Sequence, residues 1–440
     1  MNSAAGIAAK VGAGELTPAA VVDETLALIG TDPLNAYTSL SESEPAAASG
    51  RLAGVPVALK DLIDHAGHTT TCGSGFYVGT PVRSATVVRR LEAAGAVVIG
   101  RTGLHEFAFG FSSENHWFGP VRNPWDPATS PGGSSGGSAA TVAAGHVPIA
   151  IGTDTGGSVR VPAALCGVYG LKVTHGRIPL SGVFPLAPSI DTVGPIARSI
   201  DDLQISYDVM RGYDDSDRWS RRPPTAILPV SRPLRAGVPM QWLEECAVSN
   251  DVRSAFERTV AAIAEAGHEV VEIDEPLLTS RGDTTTAAYA EVASVHRSWF
   301  EEGKPYGPQV AARIEQALAV TMEQYAEARA SRAAANTAAR AVFDGVDVLL
   351  TPTVGAMRKV IGEDDMVVGD TVHHYRSVLS CFTALVNHLR SPALVMPVNV
   401  EGSPPPSLQV IGPRWSEPQL LAFGRQLERA EIVAFRPPGA

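Results

Sequence analysis

The feature that most limits the fold is a repeated unit: a segment of helical period, one glycine, then a short apolar run. Residues 85–94 carry Val87, Val88 and Leu91 at helical spacing and pass through Gly95 into AVVIG at 96–100. The segment AFERTVAAIAEAG (255–267) passes in the same way into HEVVEID. Glycine supplies the left-handed turn that ends a helix. A strand that is apolar throughout, without alternation, is covered on both faces. Other segments repeat these signals. Thr17-Pro18 offers an N-cap and a proline at the first helical position, with Val21, Val22, Leu26 and Ile29 facing inward. GVPVALK (54–60) reads as a short buried strand ending at Lys60, and SAATVAAG as a small-residue helix. VPIAIG (147–152), VDVLLTP (346–352) and SLQVIGP (407–413) read as further strands. One long amphipathic helix is expected over roughly 308–343 and a closing helix from about Glu417. Strands alternating with helices point to an α/β fold with helices on both faces of a sheet. The stretch 357–380 has no clear period and reads as a surface loop near the mouth of the site. No repeat, linker or charge run divides the chain, so residues 1–440 are expected to form one domain. Its parts are an N-terminal helical segment (1–50), a core (54–200), and the remaining sheet, helices and pocket loops (201–440).

Composition narrows the function. Hydrophobic residues make up 45% and charged residues 18%, too apolar and too weakly charged for a disordered chain. The net charge of −11 and the lack of a Lys/Arg block remove the electrostatic footprint of a nucleic-acid binder. No run of 18 apolar residues suggests a membrane span. Cys72, Cys166, Cys246 and Cys381 are far apart, which fits a reducing compartment rather than a disulfide framework. Lys10 and Glu15 stand where a signal peptide would need its apolar core. A cytoplasmic protein, monomeric or homodimeric, is the expectation.

The chemistry lies between Pro131 and Lys172. Two glycine–serine clusters occur there, GGSSGGS (132–138) and TDTGGSVR (153–160), each flanked by well-patterned apolar segments rather than polar linker. Glycines let a backbone aim successive N–H groups at one point, and a serine there can attack a carbonyl while those groups hold the oxyanion. Other glycine loops fit less well. No Gly-Lys-Ser/Thr ends either cluster, as a P-loop requires, and no strand leads into a GxGxxG fingerprint. Gly132-x-Ser134-x-Gly136 matches a nucleophile elbow, but NPWDPATSP before it is loop, not strand. His65, His68, His373 and His374 show no metal-ligand spacing, and neither metal nor cofactor is expected.

GVPVALKD, PGGSSGGSAA, GTDTGGSVRVPAALCGVYGLKVTHGRIP and SIDTVGP together resemble the amidase signature family of serine hydrolases. With helix 17–29 and SPALVMPVNV…SLQVIGP the likeness covers most of the chain. It implies a single α/β/α sandwich around a large twisted mixed β-sheet, with 54–200 as the catalytic signature core. It also implies a Ser–Ser–Lys triad, with Ser158 as nucleophile, Ser134 as the bridging serine on a cis peptide bond, and Lys60 as base. Lys60 must be neutral to act, which for an unperturbed lysine at pH 7 costs about 4.6 kcal/mol. Desolvation at the end of an apolar strand lowers that cost. The backbone N–H groups of Thr155, Gly156, Gly157 and Ser158 are expected to form the oxyanion hole. Ser135 is expected to support Ser134 by a hydrogen bond, and Asp154 and Arg160 to brace the nucleophile loop. An alternative has Arg160 gripping a substrate carboxylate. Asp191 reads as a loop anchor.

Specificity is expected from HEFAFGFSSENHWFGP (105–120), which aligns with the family segment lining the acyl pocket. Phe107, Ala108, Phe109, Phe111 and the more distant Phe184 are the pocket candidates, and they favour an apolar or aryl group. The leading expectation is an amidase that hydrolyses C–N bonds of small-molecule amides, extending to carbamates (urethanes) or anilides. One alternative is the glutaminase subunit of a transfer-RNA amidotransferase, since FSSENHWFGPVRNPWD is similar to that branch, although 376–397 lacks its usual V-P-A-N-L-A-G-L-P run. Another is a hydrolase of biuret- or allophanate-like ureides.

Overall fold

The computed structural model describes residues 3–31, 33–41, 49–224, 229–230, 232–279, 282–400 and 404–439. Among them eleven strands form one sheet. Its spatial order is Tyr37–Leu40, Val97–Thr102, Pro56–Lys60, Ile149–Asp154, Thr192–Ala197, Tyr169–Lys172, Ala393–Pro397, Ser407–Ile411, Val348–Pro352, Arg235–Pro239 and Glu269–Ile273. The sheet is mixed. Pro56–Lys60 pairs in parallel with both its neighbours, and the last three strands are parallel. The strands between run antiparallel.

Strand alternation sorts the core into two layers. Val57, Leu59, Ile149 and Ile151 face one hydrophobic cluster, which includes Leu91 and Leu203 from helices Thr86–Ala93 and Ile200–Met210. Ala58, Ala150 and Ile196 face the other, with Val142 and Ala163 from helices Gly136–Ala143 and Arg160–Leu165. Helices therefore cover both faces, which is an α/β/α sandwich. That is why every residue of Pro56–Lys60, Val97–Thr102 and Ile149–Asp154 is buried. Among the described residues no helix is long and apolar enough to cross a membrane.

Two local expectations need correction. The segment 308–343 is not one helix but two, Pro308–Leu318 and Met322–Gly345. The break is a capping box: Thr321 Oγ1 accepts from Gln324 N–H at 3.2 Å, and Gln324 Oε1 accepts from Thr321 N–H at 2.9 Å. The stretch 357–380 is not a loop either. Asp365–Val368 and Thr371–His374 form a hairpin, followed by helix Tyr375–Ser380. The segment 1–50, of which 1–2, 32 and 42–48 lie outside the described residues, holds two helices and also the edge strand Tyr37–Leu40.

Candidate active site

Pro56–Lys60 and Ile149–Asp154 are parallel neighbours with Leu59 beside Ile151, so Lys60, Thr153 and Asp154 share one edge of the sheet. Lys60 is completely buried. Its Nζ donates to Ser134 Oγ at 2.7 Å and to Thr153 Oγ1 at 2.8 Å. Burial lowers its pKa to about 7, against the opposing pull of Asp154 and Asp191. Near neutral pH the amine is therefore present in both forms.

The Gly133–Ser134 peptide is cis. A β-carbon on Gly133 would meet Ser112 N at 2.7 Å, so only glycine fits there. Ser134 is wholly buried. Its carbonyl accepts from His105 N–H at 3.2 Å and Ser113 Oγ at 3.3 Å. Ser135 does something other than expected. Its hydroxyl donates to Thr153 O at 3.2 Å and accepts from Thr153 N–H at 3.3 Å, while its own N–H donates to Ser158 O at 3.2 Å. It stitches the two clusters together rather than supporting the Ser134 hydroxyl. No strand leads into Gly132, so the elbow geometry is absent.

The second cluster is organised by Asp154. This carboxylate accepts from the N–H groups of Gly157 (2.8 Å), Val159 (3.1 Å) and Arg160 (3.4 Å), and from the Arg160 guanidinium at 2.9 and 3.0 Å. Burial alone would raise the Asp154 carboxyl, but the Arg160 charge outweighs it and holds the group well below the usual carboxylate range. Two expectations change here. The Gly157 N–H is committed to Asp154, so of the four N–H groups expected to be oxyanion donors only those of Thr155, Gly156 and Ser158 remain as candidates. Among the described residues no protein acceptor meets those three N–H groups. Arg160 does not reach for a substrate. It is fully buried, and its remaining contacts are Gln409 Oε1 (2.8 Å), Thr383 O (3.0 Å) and Asn387 Oδ1 (2.6 Å). Asp191 accepts from Thr155 Oγ1 at 2.6 Å and from the N–H groups of Leu186 and Ala187, tying the second glycine–serine cluster to the 181–189 loop.

Thr155, Gly156 and Ser158 open onto a cavity of about 630 Å³. Of the pocket candidates, Ala108, Phe109 and Phe111 line it, and Phe107 and Phe184 do not. Phe107 is wholly buried and packs on Phe184 (ring centroids 5.3 Å apart) and His296 (4.8 Å). The cause is local. The 105–111 segment is a turn with φ of +50° at Phe107 and +60° at Ala108, so the alternating rings do not share a face. The rest of the lining includes Trp242, Leu278, Tyr289, Leu385 and Arg313, none of them read in the sequence, and Arg376 from the 357–380 stretch that was expected near the site mouth. Arg313 and Gln316 sit at helical spacing and look, in sequence, like a solvated face. Thr153, the second partner of Lys60, was also missed. Its only signal was its place at the head of TDTGGSVR.

Comparisons with known proteins agree with this architecture. The Amidase family model matches residues 17–421. The A-type subunit of glutamyl-tRNA(Gln) amidotransferase from Archaeoglobus fulgidus is 35% identical, over 92% of this chain and 94% of its own. The inhibitor-bound form of a vestigial complex that bears on the origins of an s-triazine catabolic enzyme superposes with a TM-score of 0.91, at 30% identity, over 99% of this chain and 100% of its own. The corresponding A-type amidotransferase subunit of Thermotoga maritima superposes at 0.80, with 29% identity over 96% and 94% of the two chains. With the family model spanning all eleven strands of the sheet and both serine clusters, this chain belongs to the amidase family.

Proposed function

We propose that this chain hydrolyses an amide C–N bond through an acyl-enzyme, with Ser158 as nucleophile, Ser134 as the bridging hydroxyl and Lys60 as base. The observation that carries this reading is the buried Lys60 amine at 2.7 Å from Ser134 Oγ. In the proposed sequence Ser158 Oγ attacks the carbonyl while its proton passes to Ser134, and Ser134 passes its own to Lys60. The N–H groups of Thr155, Gly156 and Ser158 hold the oxyanion. The proton returns by the same route to the leaving nitrogen, and water repeats the cycle on the acyl-enzyme.

A base must be unprotonated. With the Lys60 pKa lowered to about 7, kcat/KM is expected to rise as pH increases through about 7 and to level off above it. Initial rates between about pH 5.5 and 9 test this. A profile that is flat or falling across that window would remove Lys60 from the role.

Two substrate readings stand, each on its own observation. The cavity, in the range of sites for drug-sized ligands, with Phe109, Phe111, Trp242 and Leu385 on its walls, supports a sizeable apolar or aryl amide, anilide or carbamate. Against it, the 35%-identical relative from an amidotransferase supports glutamine as the amide, with this chain acting beside a partner. The named relatives favour the glutamine reading over the first. Purified protein assayed with glutamine, aliphatic amides, aryl anilides and carbamates, with Ser158→Ala as control, decides between them. Preference for glutamine together with a co-purifying partner protein selects the second reading, and Ser158-dependent anilide or carbamate hydrolysis without glutaminase activity selects the first.

A further inference from the structure

The cavity wall carries a histidine that the proposed chemistry does not use. His388 ends the short helix Ala384–His388, is 3% exposed, and lines the cavity together with Leu385 one turn before it. Its backbone is pinned, because its carbonyl accepts from Asn336 Nδ2 at 3.0 Å. Its ring is not. Nδ1 is inaccessible and has no hydrogen-bond partner among the described residues, and it is the one such side-chain atom that belongs to the cavity lining. Nε2 makes no hydrogen bond to the described residues either, which leaves it for the cavity. Buried polar groups in folded proteins are almost always paired, and an unpaired one is destabilising. An orphan on a cavity wall points to a partner that the cavity receives.

What the ring can offer is set by its charge. Burial pushes the His388 pKa down to about 3, helped by the charges of Arg332, Arg390 and Lys172, so the imidazole is neutral wherever Lys60 is deprotonated. Those three cations do not line the cavity. Arg332 and Arg390 donate to the Ser189 carbonyl at 3.4 and 3.2 Å, and Lys172 donates to Ser391 O at 2.7 Å. A neutral imidazole has one N–H and one lone pair. A proton on the inaccessible Nδ1 would be a buried, unpaired N–H, the rarer kind of orphan, so the proton belongs on Nε2. His388 therefore presents a single uncharged donor. Such a donor satisfies a carbonyl oxygen but does not offset the desolvation of a carboxylate. The helix also fixes where this donor stands. Thr383 Oγ1 donates to Gly156 O at 2.7 Å and Asn387 Nδ2 to Asp154 O at 3.0 Å, so the helix is bonded at both ends to the second glycine–serine cluster, and His388 follows Asn387 directly.

We propose that His388 Nε2–H is a specificity-determining donor, and that the substrate is an amide with a second, uncharged carbonyl close to the scissile one, as in a diamide, an acylurea or a β-keto amide. This deepens the amide-hydrolysis reading above and rests on it. A hydrocarbon amide would leave the imidazole unpaired in spite of the aromatic lining.

The test uses pairs in which one methylene is exchanged for a carbonyl. Acetoacetanilide against butyranilide places the second carbonyl on the acyl side, and 4-acetylacetanilide against 4-ethylacetanilide places it on the amine side. Malonanilate is the charged counterpart on the acyl side. Each is measured with wild type, His388→Leu and His388→Gln. The wild type is expected to favour one keto member in kcat/KM by about three- to tenfold, the worth of one neutral hydrogen bond, mainly through KM. His388→Leu should bring that ratio near one, and His388→Gln, which keeps an N–H donor, should restore part of it. His388→Leu should also melt no lower than wild type, since it removes an unpaired polar group. A fall in Tm with both members of each pair slowed alike would mark a structural histidine and overturn the proposal. A wild-type ratio near one in both pairs, a ratio untouched by His388→Leu, or a larger His388-dependent gain for malonanilate also overturns it, while leaving amide hydrolysis standing. If no member is hydrolysed, the amide reading fails, and the donor is judged by calorimetry with the Ser158→Ala protein. There, tighter binding of a keto member that is lost in the Ser158→Ala/His388→Leu double variant supports it. Equal binding of both members, or binding of neither, overturns it.

Discussion

Lys60→Met should lower kcat for amide hydrolysis by on the order of 10³-fold or more, the range removed with a positioned general base. Methionine keeps most of the length and apolar fit of the lysine stem but has no group to take the proton from Ser134. Because the three side chains are proposed to act as a unit, Lys60→Met combined with Ser134→Ala should cost little more than either change alone. Retention of more than about a tenth of the wild-type kcat by Lys60→Met would sink the assignment. Stability should move the other way. In the fold the Lys60 pKa is lowered from 10.5 to about 7 by burial, so between those values the unfolded chain binds the extra proton. Wild-type stability therefore rises with pH across that window, and below about 7 the full penalty applies. The methionine variant should lose this slope and melt no lower than wild type at pH 6, which separates a loss of chemistry from a loss of folding.

The second large effect concerns stability alone. Arg160→Met should destabilise the protein by about 3–5 kcal/mol, because it leaves a buried carboxylate without its counter-charge. Both Asp154 and Arg160 are wholly inaccessible. Three backbone N–H groups and Asn387 would still face Asp154, so the loss should fall within that range rather than exceed it. Urea denaturation measures it. A cost below about 1 kcal/mol would show that those neutral donors suffice. Asp154→Leu combined with Arg160→Met should recover part of the loss, since removing a whole buried pair is cheaper than removing half of one.

What could be read from the sequence was what local rules encode. Helix–glycine–strand units at 85–100 and 255–273, and the Thr17 cap, depend on neighbours in the chain, and they appear as Thr86–Ala93 with Val97–Thr102, Asn250–Glu265 with Glu269–Ile273, and Pro18–Gly30. Lys60, Ser134 and Ser158 stand out because each sits in a dense motif, and the fold brings the Lys60 amine to Ser134 Oγ. The break at Thr321 was legible in principle, since Thr-x-x-Gln is a helix-start signal, but the helical period on either side concealed it. The aromatic pocket was half legible. Counting alternate residues assumes a strand, and the positive φ angles at Phe107 and Ala108 break the count. Strand order, the turn of Gly157 N–H toward Asp154, the Thr153 contact and the Arg313–Arg376 wall depend on how the chain closes in space, for which the local sequence carries no signal.

The capping box at Thr321 bears on how such an enzyme could diversify. It isolates Pro308–Leu318 as a short cassette, independently terminated before the long helix that follows. Together with Tyr375–Ser380, this cassette lends Gln309, Ala312, Arg313, Gln316, Arg376, Ser377 and Ser380 to the cavity wall, and neither segment contains Lys60, Ser134 or Ser158. Randomised libraries confined to these two short helices would therefore vary the cavity wall while the residues proposed for proton transfer stay unchanged, which would make chemistry and selectivity separately evolvable in one chain.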